Sequence, residues 1–163
     1  MKVLKAIITA IFLLQTVVSF GQTKEETISW LKDKFEKYAI GHPYGKATVK
    51  DIKLVSVDAC QFIFSCIYTE EADVGTPHQV TTTFPTDIVG IDEWGYFDYG
   101  ADSKSDEGGV KKVIQILDGK KQFRGGAYAM VKIHLAGEEK LRERLEKAIK
   151  HLATFCEKKK ETF

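Results

Sequence analysis

A chain of 163 residues, 44% of them hydrophobic and 29% charged, is long and apolar enough to fold around one sizeable core. Its 24 basic and 23 acidic side chains leave a formal charge of +1, so no global field exists to recruit nucleic acid or an anionic membrane surface. With only three cysteines, at least one thiol has no partner within the chain.

The first residues, "MKVLKAIITAIFLLQTVVSFGQ", carry Lys2 and Lys5, an apolar run from Ala6 to Leu14, and small residues at Ser19 and Gly21. That order predicts a secretory signal peptide over residues 1–21, with Gln22 as the new N-terminus. The stretch from Ala6 to Phe20 is interrupted by Gln15 and Thr16 and is shorter than the ~20 residues of a membrane span, so no integral membrane segment is expected after cleavage. No cysteine lies near the cut, which excludes a lipid anchor there. Loss of Lys2 and Lys5 moves the balance from +1 to −1. The predicted location is the periplasm or the medium, and residues 22–163 are expected to form a single α+β domain.

In that region "TKEETISWLKDKFEKYAIG" opens with Thr23 and places Glu26 three residues later, the pattern of a capping box. Ile28, Leu31, Phe35 and Tyr38 recur at helical spacing on one face, with Trp30 beside the stripe and Gly41 and Pro43 as stop signals. Strand patterns follow. "ATVKDIKLVSV" and "CQFIFSCIYTE" are separated by Asp58-Ala59, which reads as a tight antiparallel turn. "QVTTTFP" is β-branched and closed by Pro85, and "GYFDY", "VKKVIQIL" and "AYAMVKIHL" complete about six to seven strands in a curved sheet or barrel. "GADSKSDEGG" reads as a polar loop, and Asp118 to Lys120 as the opening of another. "GEEKLRERLEKAIKHLATFCEKKK" predicts a long amphipathic helix. Its stripe is Leu141, Leu145, Ala148, Ile149, Leu152 and Cys156, with acids in the first turn and Lys158 to Lys160 in the last.

Extended geometry limits the cysteines. Cys60, Phe62, Phe64, Cys66 and Tyr68 share one strand face, and six steps of ~3.3 Å put the two cysteines ~20 Å apart. A disulfide needs Cα atoms within ~7 Å, so Cys60 and Cys66 do not pair. Cys156 is the remaining partner, with Cys60 preferred over Cys66 because the end of a helix meets the start of a strand more easily than its middle. Three buried free thiols is the other arrangement the sequence allows.

The chain lacks GxSxG, HExxH, GxxxxGKS and CxxC. His42, His78, His134 and His151 are scattered, and their spacing suggests no metal site. Asp102 could begin a calcium loop, but Lys104 stands at its third position. No catalytic residue, metal or cofactor is therefore assigned, and a non-enzymatic module is expected. One stretch, "IDEWGYFDYG", concentrates aromatics beside acids and glycine, making Trp94, Tyr96 and Tyr99 candidates for a recognition surface. Strand alternation offers a second account, in which either Tyr96 and Asp98 or Phe97 and Tyr99 belong to the core.

The order of strands followed by a closing helix, from Val49 to Lys158, resembles the pleckstrin-homology-like architecture. The ending "RLEKAIKHLATFCEKK" and the cleavage region "SFGQ" are similar to small exported bacterial proteins of Bacteroidetes type. That resemblance implies a curved sheet capped by the last helix and brings no activity or ligand with it. The basic loop of lipid-binding members is replaced by Asp58-Ala59, so phosphoinositide binding is not implied. The expectation is an exported binding module with an unknown protein, peptide or glycan partner. The alternative is a carrier of small hydrophobic ligands that uses the Cys60, Phe62, Phe64, Cys66 and Tyr68 face as its interior.

Overall fold

The computed structural model describes residues 23–42, 47–69, 76–100, 113–122 and 131–156; the leader, the loop with Asp102 and Lys104, and Lys158 to Lys160 lie outside them. In chain order the described elements begin with α1 (Lys24–Tyr38), β1 (Ala39–Gly41), β2 (Thr48–Val57), β3 (Gln61–Thr69) and β4 (Pro77–Pro85). They continue with β5 (Gly90–Ile91), β6 (Phe97–Asp98), β7 (Ile114–Leu117), β8 (Lys120–Gln122), β9 (Val131–Ile133), a 3-10 turn (Leu135–Gly137) and α2 (Leu141–Ala153). The fold is α+β.

Helix α1 starts because Thr23 and Glu26 satisfy each other. The Glu26 N–H donates to Thr23 Oγ1 at 3.2 Å, and the Thr23 N–H donates to Glu26 Oε2 at 2.9 Å. It buries Thr27, Leu31, Phe35 and Tyr38. Gly41 does not end it. The chain turns extended at Ala39, and β1 pairs antiparallel with β9, Ala39 opposite Ile133 and Gly41 opposite Val131. The glycine is needed for a different reason: a Cβ there would lie 2.9 Å from Val49 Cβ and from its carbonyl oxygen.

The main sheet has five strands in the order β2-β3-β4-β7-β8, paired antiparallel throughout. The described strands form three separate sheets, so the barrel alternative is corrected to an open sheet with β2 and β8 as edges. Phe62 stands opposite Phe84, Phe64 opposite Thr82 and Cys66 opposite Val80, and all six are buried. The other face, with Ile63, Ser65, Ile67, Thr81, Thr83 and Ile116, is partly or fully exposed. Asp118 and Gly119 do not open a loop toward β9. With φ of 45° and 75° they form the two-residue turn of the β7–β8 hairpin, where positive φ at both positions matches strand twist. Asp118 also holds β4, accepting the Gln79 N–H at 2.8 Å and pairing with His78 Nδ1 at 2.6 Å.

The core is a cluster of rings. Phe62 stacks on Phe84 at 5.3 Å between centroids and lies 5.0 Å from Phe35 and 4.8 Å from Phe97. Each such ring contributes ~1.5–3 kcal/mol by burial, and each well-oriented pair ~0.5–1.5 kcal/mol more. Helix α2 closes the cluster with Leu141, Leu145, Ala148, Ile149 and Leu152. It begins at Leu141, later than its charge pattern suggests, after Lys140 turns the chain through a left-handed φ of 54°, and upstream of that turn lies Glu138. Its carboxylate takes Lys34 Nζ at 2.8 Å and the Arg144 guanidinium, while the Tyr38 hydroxyl donates to it at 3.3 Å. The Lys34 hydrogen bond, first among the causes, holds the Glu138 carboxyl below its usual range, and the same bond raises Lys34. Trp30, half-buried on the edge of the core, lies 5.3 Å from the Arg144 guanidinium and 5.6 Å from Lys34 Nζ.

A disulfide joins Cys60 to Cys156, with Cα atoms 4.8 Å apart. Neither cysteine stands quite where the strand and helix patterns place it. Cys60 is exposed in the β2–β3 turn, where its N–H donates to Asp58 Oδ1 at 2.8 Å. Cys156 follows α2 after a tightened last turn, its N–H donating to the Ala153 carbonyl at 3.1 Å. The Thr86 side chain and N–H bond to Ala59 and Cys60 carbonyls, fixing the turn on the end of β4. Cys66 is a buried free thiol whose pKa burial pushes up to about 11.

Two stability predictions follow from this packing. Leu145→Ala or Leu152→Ala should cost ~2–5 kcal/mol in denaturant unfolding, whereas Lys147→Ala on the exposed side should change little. Equal shifts for all three would mean that α2 is not docked by its apolar stripe. Because the disulfide spans 96 residues, the chain-entropy model gives an upper figure near ~4.7 kcal/mol, and a loss of ~2–4 kcal/mol on reduction is expected. Peptide mapping without reductant should recover the Cys60–Cys156 linkage, with Cys66 modified only after unfolding.

Candidate functional site

The aromatic stretch forms a tight turn between β5 and β6. Asp92 organises it: Oδ1 accepts the N–H groups of Trp94 at 2.9 Å and Tyr96 at 2.8 Å. The Asp92 N–H donates to the Tyr96 carbonyl, and the Gly95 N–H to the Asp92 carbonyl. Gly95 has φ of 90° and sits against β9, its carbonyl accepting the Ile133 N–H at 3.0 Å. A side chain there would overlap the Ile133 carbonyl. From the other side, Glu146 of α2 accepts the Ile91 N–H at 2.8 Å. The turn is therefore fixed on the body of the protein.

The three candidate residues separate. Trp94 is 65% exposed. Tyr96 is half-buried, its ring edge-on to His42 at 5.1 Å between centroids and 5.6 Å from Lys132 Nζ. Tyr99 is not a surface residue, and its assignment is corrected: it is buried, and its hydroxyl donates to the Pro85 carbonyl at 3.1 Å. Burial, with the charge of Asp87, pushes its phenol far above the usual range. Alternation explains the split, since Phe97 and Tyr99 face the core while Asp98 faces out.

Sequence reasoning missed His42 and Lys132. They reach Tyr96 only because β1 pairs with β9, placing Lys132 opposite Ile40 and next to the turn that Gly95 anchors. A three-residue strand directly after a helix leaves no periodic signal of its own. Burial, then the charge of Lys132, lowers the His42 pKa, while burial and Asp92 raise that of Tyr96. The corner thus offers an indole face, a phenol, an imidazole, an ammonium and the exposed carboxylate of Glu93.

No family model, curated protein or solved structure matches the chain. Among the described residues no three His, Cys, Asp or Glu side chains come together as metal ligands, and no helix is long and apolar enough to cross a membrane. The sheet face suggested as a ligand interior is filled, since Phe62 and Phe64 pack against Phe35 and Phe84.

This geometry separates two neighbouring substitutions. Trp94→Ala should leave the melting temperature nearly unchanged, because the indole is solvent-facing. Gly95→Ala should lower it by the equivalent of ~1–3 kcal/mol, through its positive φ and the clash with β9. A large loss for Trp94→Ala would assign that indole to the core.

Proposed function

We propose that the chain is an exported, non-enzymatic binding module whose Trp94 and Tyr96 corner holds a protein, peptide or glycan partner. The observation that carries this reading is a tryptophan 65% exposed on a turn pinned at Asp92 and Gly95. Leaving a large apolar side chain in water forgoes ~1.5–3 kcal/mol of burial. Holding it rigidly there reduces the ordering cost of association, and tryptophan is prominent among residues that dominate binding energy. Export is supported by the leader pattern of residues 1–21 and by the Cys60–Cys156 disulfide, a bond that persists in oxidising compartments. A pleckstrin-homology-like relationship draws support from the antiparallel sheet closed by α2 on its core face; the open edges, α1 and the β1–β9 pair depart from it.

Thermal unfolding against glycans, peptides and apolar small molecules tests the reading. A partner present at a hundredfold excess over its Kd should stabilise the fold by ~2.7 kcal/mol, and Trp94→Ala should abolish the shift. Stabilisation that survives Trp94→Ala would remove this corner from recognition, and stabilisation by apolar molecules alone would favour a carrier.

A further inference from the structure

The solvent face of the β1–β9 ribbon carries polar side chains that the fold leaves unused. In β9 Val131 and Ile133 are buried, so by alternation Lys132 points the other way, and its partner across the ribbon is the exposed Ile40. Tyr96 adjoins this face. Its ring centroid lies 5.6 Å from Lys132 Nζ and 5.1 Å from that of His42, which meets it edge-on. Lys132 Nζ, the Tyr96 hydroxyl and the His42 ring enter no hydrogen bond or ion pair among the described residues, and all three side chains are partly exposed.

An ammonium beside a phenol and an imidazole offers several donors to one anionic oxygen group, and hydrogen bonds to a charged acceptor are the stronger kind. The charges nearby limit which anion fits. Glu93 is exposed on the same turn, and Asp92 is engaged by two backbone N–H groups. One ammonium beside these acids favours a monoanionic carboxylate over a dianionic phosphate. The aromatic neighbour favours a sugar as its carrier. Trp94 stands two residues from Tyr96, so their Cα atoms are at most ~7 Å apart. Its exposed indole presents a negative π face to the polarised C–H groups of a pyranose ring. An extended peptide lacks its usual foothold, because β9 is flanked by β1 on one side and by the Gly95 carbonyl on the other, leaving no strand edge to extend.

We propose that this corner binds an acidic glycan, the carboxylate of a hexuronate residue held by Lys132, Tyr96 and His42 and a neighbouring sugar resting on Trp94. The inference rests on the reading of the corner as a recognition surface and adds to it the chemistry of the partner.

The test is titration of the oxidised full chain with trigalacturonate, its methyl ester and hexaglutamate, followed by calorimetry and by the amide shifts of Tyr96 and Lys132. Saturable binding of trigalacturonate is expected, weakened about tenfold or more by esterification, which removes the charge and keeps the sugar. Lys132→Met should bring the acid down to the level of the ester with the melting temperature unchanged, since the apolar stem is kept. Lys132→Arg, which keeps the charge, should retain the preference for the acid. The proposal is overturned if trigalacturonate does not bind saturably, if the ester or hexaglutamate binds as tightly, or if Lys132→Met leaves the preference intact. Trp94→Ala separates this failure from that of the recognition surface. Acid and ester bound equally, and both lost in Trp94→Ala, would remove the carboxylate and keep the surface. Trigalacturonate binding untouched by Trp94→Ala would remove the corner itself.

Discussion

Phe35 is the side chain on which the architecture turns. It is fully buried, and its ring lies 5.0 Å from Phe62, 5.5 Å from Phe64 and 6.2 Å from Phe97. One ring therefore ties α1 to the main sheet and to the β5–β6 hairpin, elements far apart in sequence. Interiors are packed at crystal-like density, so fixing this ring fixes the orientation of the helix that carries it. The Trp94 corner follows from that placement, since the end of α1 leads directly into β1, which meets β9 beside Gly95.

Two further constraints close the ends of this arrangement. The Cys60–Cys156 bond holds the end of α2 at the β2–β3 turn, and Glu138 holds its beginning against Lys34 of α1. They differ in kind. The covalent link acts chiefly by restricting the unfolded chain. The Glu138 contacts are partly exposed ion pairs, which carry little stability individually but select one orientation among the packings that a leucine stripe permits. Gly137 shows how closely the helices approach, since any side chain there would overlap the Tyr38 ring.

How far the sequence discloses this depends on the range of the interaction. The Thr23 capping box, the Leu31-Phe35-Tyr38 face and the alternating Phe62, Phe64 and Cys66 are local patterns, and they read directly because helix and strand periods differ. Distance arithmetic along one strand was enough to exclude a Cys60–Cys66 bond. What local pattern could not supply were the contacts set by tertiary pairing. Gly41 looks like a helix stop, yet it is required by Val49 across a strand contact. Asp118-Gly119 is a hairpin turn whose second strand is only Lys120–Gln122, too short to show a period. In the aromatic stretch, alternation had already supplied the grouping of Phe97 with Tyr99, but not which face was buried. That required Phe35, more than about sixty residues earlier.

Over most of the described chain, local preference and packing agree, as expected of a sequence that specifies one fold. The exceptions therefore carry information. Trp94 is a large aromatic left in water by a turn that holds it there with hydrogen bonds, when a small polar residue would satisfy the same Asp92 geometry. Asp51 adopts a positive φ in the middle of a strand, where a regular extended residue would keep the register with β3. The slip at Asp51 still lets Ile52 and Leu54 pack against the ring cluster, whereas the indole of Trp94 is left outside it. Burial therefore gives no reason for Trp94, which lies where the chain meets solvent beside a fixed framework. Rigid presentation lowers the cost of ordering a site on binding, and it is the buried framework around Phe35 that makes such presentation possible at that corner.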